Sequence, residues 1–205
     1  MIYVSELANS KMTEYLRKQD EVTVIKATNL VYPAISSHPD IYMCRLGDEM
    51  IFADENEIGY CYPADISFNA ACTGRFFIHN TRYTALRLLD AAKSKGMHII
   101  HVNQGYSKCN IAIIDETSVI TSDRGIFKAI SPEIDTLLIS PGHILLKGFD
   151  YGFIGGTCGR IRDEVIFNGN ISAHPDYIRI KEFIESRGLR IKYFDYPLED
   201  IGSIL

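Results

Sequence analysis

Apolar residues recur along the chain in two alternating rhythms. The first is strand-like: an apolar or β-branched run, a short acidic turn, and a second run. Ile41-Tyr42-Met43-Cys44-Arg45-Leu46 passes through Gly47-Asp48-Glu49 into Met50-Ile51-Phe52-Ala53. Cys109-Asn110-Ile111-Ala112-Ile113-Ile114 passes through Asp115-Glu116-Thr117 into Ser118-Val119-Ile120-Thr121, and Cys158-Gly159-Arg160-Ile161 through Arg162-Asp163-Glu164 into Val165-Ile166-Phe167. Each reads as a strand–turn–strand hairpin. Ile66 to Ile78, with Thr73-Gly74-Arg75 at its centre, is a looser copy.

The second rhythm is helical and falls between the hairpins. Residues 81–95 carry Leu86, Leu89 and Ala92 at helical spacing, and Gly96 stops them. Residues 175–187 place Ile178, Phe183 and Ile184 near one face, and Gly188 stops them. Residues 5–18 and 123–130 predict two more helices. A strand follows each helix: 22–25, 97–102, 136–139 and 189–194. The unit is helix, strand, hairpin, at a period of roughly 40–50 residues, and such a period marks an array of supersecondary units. A doubly wound open sheet would pass from strand to helix directly. The pattern therefore predicts one α/β domain over residues 1–205, packed radially so that neighbouring units bury each other's apolar faces.

Composition narrows the function classes. The net charge is −5 and the basic residues form no block, which argues against a nucleic-acid partner. No apolar run approaches the roughly 18 residues of a membrane span, and Met1 to Glu6 does not begin a signal peptide, so a cytoplasmic location without a membrane partner is expected. Five cysteines, an odd number without CxxC spacing, read as reduced thiols; no metal site is expected. Cys44, Cys72, Cys109 and Cys158 stand at similar places in their hairpins. They are expected to face the axis of the array, as small buried side chains or, alternatively, as a reactive or metal-binding thiol site.

Helix, strand and hairpin repeated about a pseudo-five-fold axis resembles the pentein α/β-propeller. This is the guanidino-group-modifying-enzyme fold of amidinotransferases, deiminases and dimethylarginine hydrolases. The segment Phe149-Asp150-Tyr151-Gly152-Phe153-Ile154-Gly155-Gly156-Thr157-Cys158, with the hairpin and helix after it, looks like the Gly-Gly segment of those enzymes. A bacterial group of pentein-like proteins is similar too. The resemblance implies a small guanidino or amidino ligand and no cofactor. It also implies a nucleophilic cysteine after a glycine-rich turn near the C-terminus. Here Tyr196 to Leu205 holds no cysteine, and Thr157 stands where family members commonly carry an acidic residue.

Amidine hydrolysis needs a thiolate nucleophile, a proton carrier and carboxylates for the cation. Cys158 follows two glycines and is the candidate nucleophile. His174 and His143 are the candidate proton carriers, and Asp40, Asp150 and Asp176 the candidate carboxylates. Gly155 and Gly156 are expected to let backbone approach a ligand, so Gly156→Val is expected to remove binding while the fold survives. His174-Pro175-Asp176 also suits a helix start, and His38-Pro39-Asp40 a plain turn. Two functions follow: a non-catalytic pentein-like protein binding a small ligand or partner, and a cysteine-dependent amidinohydrolase- or amidinotransferase-like enzyme. The absent C-terminal cysteine favours the first. The sequence is silent on oligomeric state.

Overall fold

The computed structural model describes residues 1–205. β1 (Ile2–Ser5) crosses through α1 (Ser10–Arg17) and returns as β2 (Val22–Ile25), parallel to β1. The one-turn helix α2 (Pro39–Tyr42) leads into the antiparallel hairpin β3 (Met43–Leu46) and β4 (Glu49–Phe52). The next hairpin, β5 (Ala71–Cys72) and β6 (Phe76–His79), continues through α3 (Leu86–Ser94) to β7 (His98–His101), parallel to β6. Then come α4 (Ser107–Asn110), β8 (Ile111–Ile113), β9 (Ser118–Thr121), α5 (Arg124–Ile130) and β10 (Asp135–Leu138). Last come β11 (Cys158–Ile161), β12 (Glu164–Phe167), α6 (Tyr177–Glu185) and β13 (Arg190–Lys192).

The strands form five separate small sheets, so the chain has no continuous parallel sheet. In the three-stranded sheets the middle strand pairs antiparallel with its hairpin partner and parallel with the strand after the helix. The hairpin strands β3, β5, β8 and β11 pack side by side in chain order. Beyond β11, Ile204 N–H donates to Cys158 O, and Tyr3 and Leu205 exchange both backbone hydrogen bonds, which ties the C-terminal segment to β1.

Each helix is set by local chemistry and buries a narrow stripe. Asn9 accepts from Lys11 N–H ahead of α1, and Asp123 from Ile126 N–H ahead of α5; these satisfy amides that have no partner within the helix. Gly96 and Gly188, with φ near +70°, take the left-handed position that closes α3 and α6, as their spacing predicts. The buried stripes are Met12 and Leu16, Leu88 and Ala92, Ile126 and Ile130, and Ile180 and Ile184, all at i, i+4. Each fully buried aliphatic side chain contributes about 1.5–3 kcal/mol.

The stripes of α3 and α6 differ from the expected ones. Leu86 is 79% exposed and Ile178 63%, because each stands in the first turn of its helix and faces away from the sheet. All four helices are also shorter than their apolar patterns, by one residue at α5 and by four to six at each of the others. The pattern assigns no strand before residue 22, yet Ile2–Ser5 forms one, since two buried positions, Ile2 and Val4, suffice when a parallel partner is present. His38-Pro39-Asp40 is a helix entry, with Pro39 in the first turn of α2.

Candidate buried site before the inner strands

Ahead of each of β3, β5, β8 and β11 the chain makes a single tight turn. These turns are α2, a 3-10 turn at Ala64–Ile66, α4, and a 3-10 turn at Gly155–Thr157. They deliver polar side chains to one buried place, joined by residues 200–203. Asp40 stands at its centre, fully buried. Asp40 Oδ2 accepts from Ser203 Oγ at 2.7 Å and from the Cys109 thiol at 3.1 Å. Asn69 Nδ2 donates to Cys109 Sγ at 3.3 Å and to Asp40 O at 3.1 Å, while Asn69 Oδ1 accepts from the Lys108 and Cys109 amides. Lys108 Nζ donates to Ser203 Oγ at 2.9 Å. Ser203 holds φ at +74°, a left-handed conformation costing a non-glycine residue of order 1–2 kcal/mol. The bond from its amide to Gly156 O and those of its hydroxyl, which accepts from Lys108 and shares its one proton between Asp40 Oδ2 and Gly155 O, offset that strain.

Gly155 and Gly156 are close-approach backbone here. Gly155 O accepts from Ser203 Oγ, and a Cβ on Gly155 would meet the Lys108 and Ile111 carbonyls. A Cβ on Gly156 would lie 1.9 Å from Asp200 Oδ1. The Asp200 carboxylate accepts from Phe153 N–H and Gly202 N–H, and burial lifts its pKa to about 6 against those two bonds. Burial also raises Asp40, partly countered by His38 and Lys108. Burial first, and the Asp40 charge next, push the Cys109 thiol well above its ordinary range. His38, fully buried, is driven down to about 4 by desolvation. Its 3.9 Å approach to Asp200 Oδ1 is therefore not an ion pair near neutral pH. Neither ring nitrogen of His38 has a partner, nor do Asp40 Oδ1 and Asp65 Oδ1.

A run of aromatic side chains leads outward from the Asp65 carboxylate. Tyr106 Oη donates to Asp65 Oδ2 at 2.6 Å and lies 3.1 Å from Tyr32 Oη. Tyr32 packs on the half-exposed Phe149, and Tyr106 on the half-exposed Tyr62. Burial raises the Tyr32 hydroxyl, the Tyr106 hydrogen bond partly counters it, and the charges of Asp65, Cys109 and Asp200 add to the rise. Lys108 also lines a cavity of about 390 Å³ together with Cys44, Cys72 and Cys158. Three of the four cysteines expected to face the axis thus share one wall, and Cys109 sits in the polar cluster.

The residues singled out from sequence are distributed over several places. Asp40, Gly155 and Gly156 are in the cluster. Cys158 is buried and donates to Ile154 O at 3.5 Å; burial lifts its pKa to about 11, and it makes no hydrogen bond to a histidine. His143 and His174 pack edge to face, 5.5 Å apart. His174 Nδ1 accepts from Asp176 N–H, so this histidine stabilises the turn before α6. Asp176 is held to about 2 by the Ser140 amide and Arg179. Asp150 is exposed. Sequence reasoning passed over His38, Asp65, Asn69, Lys108, Asp200 and Ser203. Their signal was positional: four of the six lie within seven residues upstream of an inner strand, and Asp200 and Ser203 belong to the C-terminal segment that extends the same series. Native alkylation is expected to modify exposed Cys61 alone at about pH 8, because a protonated buried thiol is neither reachable nor nucleophilic. Mapping the adducts by mass spectrometry checks this, and selective modification of Cys158 near neutral pH would contradict it.

A family model described as "Family of unknown function (DUF6873)" matches residues 49–205. Among solved structures, the chain is similar to one described as a dimethylarginine dimethylaminohydrolase adduct with 4-chloro-2-hydroxymethylpyridine. The TM-score is 0.55 and the identity 12%, over 95% of this chain and 91% of that one. The likeness establishes a pentein-like fold. No curated protein matches. No helix is long and apolar enough to cross a membrane.

Proposed function

We propose, for a chain that belongs to the family of unknown function DUF6873, a pentein-like protein that binds a small cationic guanidino or amidino compound without covalent chemistry. The five sheets are read as blades about a common axis within one domain, with the polar cluster at one end of it. The observation carrying this reading is Asp65. It is a buried carboxylate with one oxygen unpartnered and the other bonded to a tyrosine, beside the Tyr32, Tyr62, Tyr106 and Phe149 rings. A guanidinium is planar, stacks on aromatic faces and donates in a fork that matches a carboxylate.

The enzymatic reading rests on Cys109, whose thiol lies within 4.8 Å of ligand atoms of both His38 and Asp40. It would need the thiolate to attack the amidine carbon after passing its proton to His38. A neighbouring carboxylate and full burial hold that thiol protonated, so binding is the preferred reading. Titration calorimetry with methylguanidine and longer alkylguanidines tests it. Wild type is expected to bind, with Asp65→Asn weaker by at least about tenfold, equivalent to about 1.4 kcal/mol. The Asp150→Asn and Asp176→Asn variants test the outer carboxylates in the same way. Failure of every guanidino compound to bind would overturn the proposal.

A further inference from the structure

The buried cluster contains a donor set that neither a guanidinium ligand nor the hydrogen-bond network uses up. His38, Asp40 and Cys109 each offer one ligand atom, and these atoms all lie within 4.8 Å of one another. Both His38 ring nitrogens and Asp40 Oδ1 are buried without a partner. A buried polar atom left unpaired costs about 1–3 kcal/mol, so three in one cluster need an explanation. No spacing in the sequence announces the set, because its members come from two turns about 70 residues apart in the chain that only the fold brings together.

We propose that His38, Asp40 and Cys109 bind one zinc ion. Thiolate, imidazole and carboxylate together suit a borderline-soft divalent cation, whereas calcium and magnesium take oxygen donors. Zinc bonds of about 2.0–2.3 Å place tetrahedral ligand atoms roughly 3.3–3.8 Å apart. Cys109 Sγ and Asp40 Oδ2 are already 3.1 Å apart, so small side-chain shifts open the site. Asp200 Oδ1, 3.9 Å from His38 Nδ1, is near enough to supply a fourth donor.

The surroundings are those of a supported metal site. Asn69 orients the Cys109 sulfur, and Ser203 orients the Asp40 carboxylate. Gly202 leaves the space His38 occupies; a Cβ there would lie 2.2 Å from the His38 Cβ. Binding transfers the Cys109 thiol proton to solvent as the sulfur–zinc bond forms. The zinc and the Lys108 ammonium then balance the Asp40 and Asp200 carboxylates and the thiolate. Lys108 stands between the cluster and the 390 Å³ cavity, so displacement of its flexible side chain gives the ion a route inward.

The test uses tag-free full-length protein, stripped with a chelator and reloaded with zinc or cobalt. One metal per chain is expected to survive dialysis. Cobalt is expected to give the near-ultraviolet thiolate-to-metal absorption of a tetrahedral site. That absorption is expected to vanish in Cys109→Ser and to persist in Cys44→Ser, Cys61→Ser and Cys158→Ser. If Cys109→Ser does not fold, the wild-type cobalt spectrum decides alone, since bound cobalt without a thiolate band overturns the site. No retained metal overturns it also. None of these readouts involves a guanidino compound, so the zinc site and the guanidino reading stand or fall separately.

Discussion

Gly156→Ala is expected to lower stability by about 3 kcal/mol and to remove guanidino-compound binding together with it. The added methyl would stand 1.9 Å from Asp200 Oδ1 and 2.3 Å from its Cγ. The carboxylate has nowhere to retreat: it is fully buried, and both its oxygens are pinned by backbone amides, from Phe153 at 2.9 Å and Gly202 at 3.0 Å. Moving it breaks two charge-assisted bonds and leaves an ion without partners in a dry interior. Gly156 O also holds the Ile201 and Ser203 amides, so the disturbance passes directly to the strained Ser203 and on to Asp40. The fold therefore does not survive this change unharmed, unlike the sequence-based expectation for Gly156→Val. Urea denaturation of wild type, Gly156→Ala, Asp200→Ala and the double variant measures the effect. With the carboxylate gone the methyl meets less, and a coupling of at least about 2 kcal/mol is expected. A Gly156→Ala midpoint equal to wild type would contradict the geometry.

Acidification is expected to destabilise the protein through His79, remote from the candidate site. His79 is fully buried on β6, with Nδ1 2.7 Å from Thr84 Oγ1 and Nε2 3.0 Å from Gly105 O. Nε2 donates to the carbonyl, so Nδ1 accepts from the threonine and the ring is neutral. Desolvation lowers its pKa to about 4, against 6.5 for an unperturbed histidine. Between those values the unfolded chain binds the proton and the folded chain does not. The stabilisation is thus complete above about pH 6.5 and is lost as pH falls through about 4, amounting to about 3 kcal/mol. Other buried groups titrate in the same range: His38 in the same sense, and Asp40 and Asp200 in the opposite one. The comparison is therefore between proteins. Going from pH 7 to 4, His79→Gln is expected to lose about 3 kcal/mol less than wild type in urea titrations. Equal losses would show that His79 takes up its proton as readily in the fold as in the unfolded chain.

The chain by itself determined the units. Period-two runs broken by short acidic turns can only be hairpins, and helical stripes ended by Gly96 and Gly188 can only stop there, because those signals are local: pleat, helical pitch and left-handed backbone lie within a few residues of each other. From them came four hairpins, four helices and the resemblance to penteins. Tertiary structure alone decided which end of each unit carries chemistry. Cys158, His143 and His174 attracted notice through neighbours in sequence, yet His174 serves its own turn and Cys158 bonds to Ile154 O. Asp40, Asn69, Lys108, Cys109 and Ser203 meet only because separate units place their entry turns side by side, joining residues up to 163 positions apart. Their hydrogen bonds reach across units, and no periodicity within one unit encodes a contact whose partner belongs to the next.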